Sequence, residues 1–142
     1  MNDNLVATAT VSVDASAEDV WRAITEPDLV AKYYFGTRVE SEWQPGGPIT
    51  WSGEYEGKEY RDHGTVLEVL PGERLVHTHF SPMGGREDVP ENYHTLTWAL
   101  EPDGDGTSLV LTQDNNHSYD EVGHSEQNWQ TVLDGLKTVV ES

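Results

Sequence analysis

Two imidazoles, His77 and His79, stand two residues apart in the segment RLVHTHF. Side chains at i and i+2 of an extended chain leave the same face, so the two rings can converge on one ligand or one proton. Histidine titrates closest to working pH of any side chain, which suits it to general acid or base work in an apolar pocket. A metal site would need a third ligand from His94, His117, His124 or a carboxylate, and no zinc-type spacing such as His-x3-His on a helix occurs. The competing use is structural, with two polar strand residues bonding neighbours or water. No metal ligand and no catalytic residue is assigned on this pattern.

Other chemistry is sparse. HSYDEVGH groups His117, Tyr119, Asp120 and His124 and reads as a polar capping loop at a helix start. Tyr33, Tyr34 and Phe35 form an aromatic trio that could line a cavity mouth or anchor helices to a sheet. Trp51, Tyr55 and Tyr60 read as core or cross-strand partners. No serine sits in a G-x-S-x-G turn, and the glycines mark hairpins, not a phosphate-binding loop. Cysteine is absent, which removes disulfides and thiolate chemistry, and no cofactor is expected.

The elements that must position these residues are legible as periods. NLVATATVSVDAS alternates and reads as a strand. In SAEDVWRAITEP the period changes. Ser16 and Asp19 make a capping-box pattern, Ala17, Val20, Trp21 and Ile24 share a face, and Pro27 stops the helix. Asp28 reads as the cap of a second short helix, LVAKYY. From Gly36 to Asn116 the period is mostly two, in GTRVESEW, ITWSGEYEG, KEYRDHGTVLEVL, RLVHTHF, NYHTLTWALE and TSLVLTQDN. The last two flank PDGDG, a hairpin signal, and short links imply antiparallel neighbours.

Trp129, Val132, Leu133, Leu136, Val139 and Val140 then fall in steps of three and four, one face of a closing helix. Its start is either Ser118 or Ser125, and roughly 17 residues would span about 25 Å. The expected architecture is α+β, a seven-stranded antiparallel sheet covered on one face by the closing helix, with residues 1–142 as a single domain. Alternation turns Leu109, Leu111 and Gln113 inward, with Leu96, Trp98 and Leu100 beside them. On RLVHTHF both sides carry apolar groups, so the side that faces in is open at this point.

Composition sets the outer limits. Hydrophobic content of 35% with five Trp supports a packed core. The start MNDNLVATAT has no basic, apolar leader, and no run of 18 apolar residues exists, so a cytoplasmic protein without a membrane span is expected. Asp and Glu number 26 against 8 Lys and Arg, a net charge of −18, which repels nucleic acid and anionic membrane surfaces. The scattered acid and only three lysines also fit a surface adapted to a salt-rich host, with an ordinary acidic protein as the other reading.

In order and spacing, VDASAEDVWRAITEPDLVAKYY, the PGG after the next strand, GTVLEVLPGERLVHT, TWALEPDGDGTSLVLTQ and the Trp129–Leu133–Leu136 helix resemble one known family. It is the Activator of Hsp90 ATPase homologue 1-like (AHSA1-like) family of the SRPBCC, START-like and Bet v 1-like helix-grip superfamily. The resemblance implies a sheet wrapped around the last helix, often with an apolar cavity between them, in proteins that bind lipids, hormones or polyketides, act as cyclases or dehydratases, or serve as chaperone partners. Two departures bear on function. The chaperone activator that names the family carries a separate N-terminal domain, which is not expected here. Gln113 stands where many relatives carry His, so no role of that His transfers.

The expected function is binding of a small hydrophobic or amphipathic molecule between sheet and closing helix. The pocket candidates are His77, His79, Trp98, Leu111, Gln113 and Trp129, the polar three orienting the ligand. One alternative is a chaperone (Hsp90-type) or other protein-interaction module, which predicts a filled cavity and an exposed apolar patch. Another is a polyketide cyclase or dehydratase-like enzyme, which needs an acid–base pair facing the cavity, with His77 and His79 as its candidates. Edge strands and an uncovered outer sheet face would allow a homodimer.

Overall fold

The structure, a computed structural model, describes residues 5–82 and 85–142; the expected first strand as far as Asn4, Met83–Gly84 in the break before NYHTLTWALE, and the side chain of Tyr55 lie outside the description. The chain runs β1 (Leu5–Val13), α1 (Ala17–Thr25), α2 (Pro27–Tyr33), β2 (Arg38–Ser41), β3 (Pro48–Tyr55), β4 (Lys58–Leu70), β5 (Arg74–His79), β6 (His94–Asp103), β7 (Gly106–Asn116) and α3 (Tyr119–Glu141), with a 3₁₀ turn at Pro90–Asn92 before β6. Its seven strands make one antiparallel sheet in the order β1-β7-β6-β5-β4-β3-β2. None of its described helices is long and apolar enough to cross a membrane.

Local chemistry sets the helix ends. Ser16 Oγ accepts the Asp19 N–H at 3.1 Å, the first half of the expected capping box. Pro27 both stops α1 and opens α2 as its first residue, where its missing N–H costs nothing. The cap of α2 is therefore Glu26, with no side-chain bond, and Asp28 lies in the first turn instead of capping it. Ser118 settles the start of α3: its Oγ accepts the Glu121 N–H at 3.1 Å, and Glu121 Oε2 accepts the His117 N–H at 3.0 Å. At 23 residues the helix is about 34 Å long, a turn and a half beyond expectation.

The buried face of α3, Trp129, Val132, Leu133 and Leu136, lies over Leu96, Trp98, Leu100, Leu109 and Leu111 of the sheet, with Val20, Ala23 and Ile24 of α1 alongside. Each such fully buried aliphatic side chain contributes about 1.5–3 kcal/mol. Leu75 and His77, each 1% exposed, show which side of β5 faces in. Phe80 is buried on the opposite side, stacked on Tyr93 with ring centroids 5.1 Å apart.

A second face of α3 closes the edge of the sheet. The Thr8 N–H donates to Glu126 Oε2 (3.0 Å) and the Asp14 N–H to Glu141 Oε2 (2.7 Å). Gln130 Nε2 donates to the Thr10 carbonyl (2.9 Å) and Lys137 Nζ to that of Ser12 (2.7 Å). The four helix residues follow steps of four and seven along one stripe, and they occupy backbone groups that an edge strand would otherwise offer to another chain. The short strand β2 is left as the open edge.

Candidate functional site

Four of the six expected pocket residues are drawn into two hydrogen-bonded groups under α3, and Leu111 packs beside them. Thr78 O accepts the His77 Nδ1–H at 2.9 Å, and His77 Nε2 accepts the Trp98 indole N–H at 3.0 Å. A carbonyl can only accept and an indole can only donate, so one neutral tautomer is selected. Burial pushes the His77 pKa down to about 4; the Thr78 bond opposes this and the charge of His79 adds to it. Nearby, Gln113 Oε1 accepts the Trp129 N–H at 2.7 Å, while its Nε2 donates to Asn116 Oδ1 (2.9 Å) and Ser125 Oγ (3.1 Å). Trp98 and Trp129 meet edge to face with centroids 6.3 Å apart, and Leu111 is 1% exposed. The space left beside His77 and Trp98, closed by Ile24, Tyr33 and Trp51, measures ≈ 20 Å³. That is room for about one water.

His79, the sixth, behaves differently. Its Nε2 lies 3.0 Å from Asp62 Oδ2, and the Trp51 ring touches both imidazoles with centroids 5.0 Å away. Asp62 sits directly opposite Trp51 in the β3–β4 register, which turns it inward. His79 Nδ1 and Asp62 Oδ1 are both enclosed and, among the described residues, have no hydrogen-bonding partner. An enclosed polar atom left unpaired costs about 1–3 kcal/mol.

Asp62 lines a cleft of ≈ 410 Å³ at the mouth between helices and sheet, with Tyr34, Phe35, Glu54, Tyr60, Ser81 and Asn128 around it. The aromatic trio divides between the two uses the sequence allows. Tyr33 turns inward and donates to the Ala23 carbonyl at 2.7 Å. Tyr34 packs against Trp129 (centroids 5.9 Å) and lines the cleft. Phe35 stands 62% exposed with φ +55°, a left-handed conformation uncommon for a bulky residue. Strain of this kind collects at binding sites, where the surroundings hold it. Burial pushes the Tyr34 hydroxyl well above the usual tyrosine range, and the charge of Asp62 pushes it further.

Tyr60 is placed by a glycine. Gly53 is its cross-strand neighbour, and a Cβ there would lie 2.7 Å from the Tyr60 hydroxyl oxygen. The ring thus lies across the bare backbone and its hydroxyl bonds Thr37 Oγ1. Glu54 is directly opposite Glu59 on the same hairpin, two like charges in register. Among the described residues no three His, Asp or Glu side chains gather as a metal site would require.

HSYDEVGH serves as the entry to α3: Ser118 caps, Tyr119 is 81% exposed, and Glu121 lies 3.7 Å from His94 Nε2. The sequence reading did not single out Asp62 as a candidate, although a carboxylate on the face shared by Tyr60 and Gly64 in KEYRDHGTV was its visible signal.

The sequence profile of the family described as Activator of Hsp90 ATPase homolog 1-like protein matches residues 14–141. The solution structure of ChR145 from Cytophaga hutchinsonii superimposes with a TM-score of 0.86 at 43% identity, covering 99% of this chain and 97% of that one. The Aha1 dimer from Colwellia psychrerythraea gives 0.76 at 20% identity, with 96% of each chain covered. DynU16, from the dynemicin biosynthetic locus, gives 0.79 at 20% identity, covering 96% of this chain and 47% of that one. The last two are likenesses of fold alone. No curated protein matches.

Proposed function

Because the chain belongs to the Activator of Hsp90 ATPase homolog 1-like family, we propose a binding role on its helix-grip fold: a small hydrophobic or amphipathic molecule held at the mouth of the grip. The observation that carries this is the cleft itself, where exposed Phe35 and half-buried Tyr34 stand beside Asp62. The aromatic rings supply apolar contact, and Asp62, oriented by His79, supplies the polar anchor. His77, Trp98, Leu111, Gln113 and Trp129 form the rigid floor beneath, since a network with its partners in place holds its geometry. A cytoplasmic setting belongs to the same proposal.

Native mass spectrometry of protein purified from its own host, followed by denaturing release, tests the role. One recurring molecule near full occupancy is expected, and Phe35→Ala should lose most of it. Equal retention by Phe35→Ala and Asp62→Asn would place the molecule elsewhere.

A protein partner is the second reading, favoured by the small interior space of ≈ 20 Å³ together with 62% exposure of Phe35. A pull-down with Phe35→Ala as the control separates the two, because a partner docked there should be lost while no small molecule is released. Acid–base chemistry, if the cleft has any, belongs to His79 with Asp62, since both nitrogens of His77 are engaged.

A further inference from the structure

We infer that the cleft selects a cation, an organic ammonium carried on a small apolar body, which deepens the binding role proposed above and rests on it. Three aromatic side chains, Tyr34, Phe35 and Tyr60, share the lining with two carboxylates, Glu54 and Asp62, and among the described residues no lysine or arginine takes part. The Tyr34 and Phe35 rings stand at 75° with centroids 6.0 Å apart. They make a corner whose faces can flank one ammonium group, the geometry in which a ring quadrupole attracts a cation.

Asp62 adds the second term. Its Oδ2 is engaged by His79, and Oδ1 is enclosed and, among the described residues, unpaired, so the carboxylate borders the aromatic cleft with bonding capacity unspent. Charge held in such a poorly solvated place acts on a nearby cation with little screening. Glu54 extends the same sign to the open side, and the −18 charge of the chain concentrates cations and turns anions away. Metal ions fit less well, because they require four or more converging N, O or S ligands, and aromatic rings supply none.

Three nearly isosteric probes separate charge from shape: benzylammonium, benzyl alcohol and benzoate, titrated at pH 7 and fixed ionic strength while backbone amide shifts are followed. Benzylammonium should move the amides of Tyr34, Phe35 and Tyr60 and bind about tenfold more tightly than benzyl alcohol, with benzoate leaving them unmoved. Asp62→Asn and Glu54→Gln should each shrink that preference several-fold, while Asp105→Asn, in the exposed β6–β7 turn, should leave it intact. Glu54 is exposed, so its variant answers the question even if Asp62→Asn fails to fold. Equal binding of the alcohol and the ammonium at the cleft overturns the charge selection and leaves the binding role standing. A preference lost equally in Asp105→Asn means unspecific attraction and overturns it too. If no probe moves the cleft amides, both the selection and the cleft role fall.

Discussion

His77 and His79 leave the same face of the same strand and both lie against Trp51, yet one is finished and the other is not. Each nitrogen of His77 has a partner and the residue is 1% exposed. His79 has one partner, Asp62, and a second nitrogen without any among the described residues. The lesson is that burial alone does not mark a functional histidine. A buried ring with both nitrogens satisfied holds a fold together, whereas a half-satisfied ring beside a cleft retains capacity to meet something else.

Breaking the finished member should have the largest effect. His77→Ala leaves a hole and strips the Trp98 N–H of its partner, and should cost about 4 kcal/mol in urea unfolding. A cost near that of an ordinary surface change would mean Trp98 finds another acceptor.

The same residue should write its signature into the pH dependence. Its pKa is lowered from 6.5 to about 4 in the fold, so the unfolded chain takes up the proton first. That contribution is complete above about pH 6.5 and disappears as pH falls toward about 4, amounting to about 3 kcal/mol. The gap in unfolding free energy between the native chain and His77→Leu should narrow by that amount from pH 7 to 4. Parallel profiles would show that His77 takes up its proton alike in both states.

Third in size is Gly53→Ala. The new Cβ meets Tyr60 at 2.7 Å, so the ring must leave its seat and its bond to Thr37, at about 2 kcal/mol. Thermal unfolding and the tyrosine signals of the cleft would report it, and an unmoved Tyr60 would show that the hairpin yields instead. His79→Ala should then cost only about 1.5 kcal/mol, because Asp62 Oδ2 loses its partner but the unpaired Nδ1 goes with the ring. If it matches His77→Ala, the contrast drawn between the two histidines is void.

The smallest effect belongs to the surface. Glu59→Lys turns the like-charged pair with Glu54 into an attractive one and should raise the unfolding midpoint by about 2 °C at low salt. The gain should fade in molar KCl, where screening lifts the native chain as well. A gain unchanged by salt would point to packing as its source.

Much of the fold is legible in the chain because periodicity is a local property. Leu96, Trp98 and Leu100 on β6, and Leu109, Leu111 and Gln113 on β7, are buried as their alternation requires. Their partners follow from antiparallel register, as in Trp98 opposite Leu111. Pro27 was harder, since one residue ends a helix and starts the next, and only the cap geometry shows that Glu26 and not Asp28 stands at the boundary. The inward side of β5 could not be read because Phe80 and the histidines offer comparable apolar surface, and what decides it is Tyr93, thirteen residues on, stacking over Phe80.

By itself, then, the sequence determined the order and type of the elements and the apolar stripe of α3, through spacings that act within a turn or a strand. It also determined that the surface would be strongly acidic. Only the tertiary structure decided that Gln113 would close on Trp129, that α3 would satisfy the edge of β1, and that Phe35, Asp62, Ser81 and Asn128 would border one cleft. Those meetings join residues up to 127 positions apart, as between Asp14 and Glu141. Which distant groups meet is set by how one sheet curves over one helix, and no local spacing encodes it.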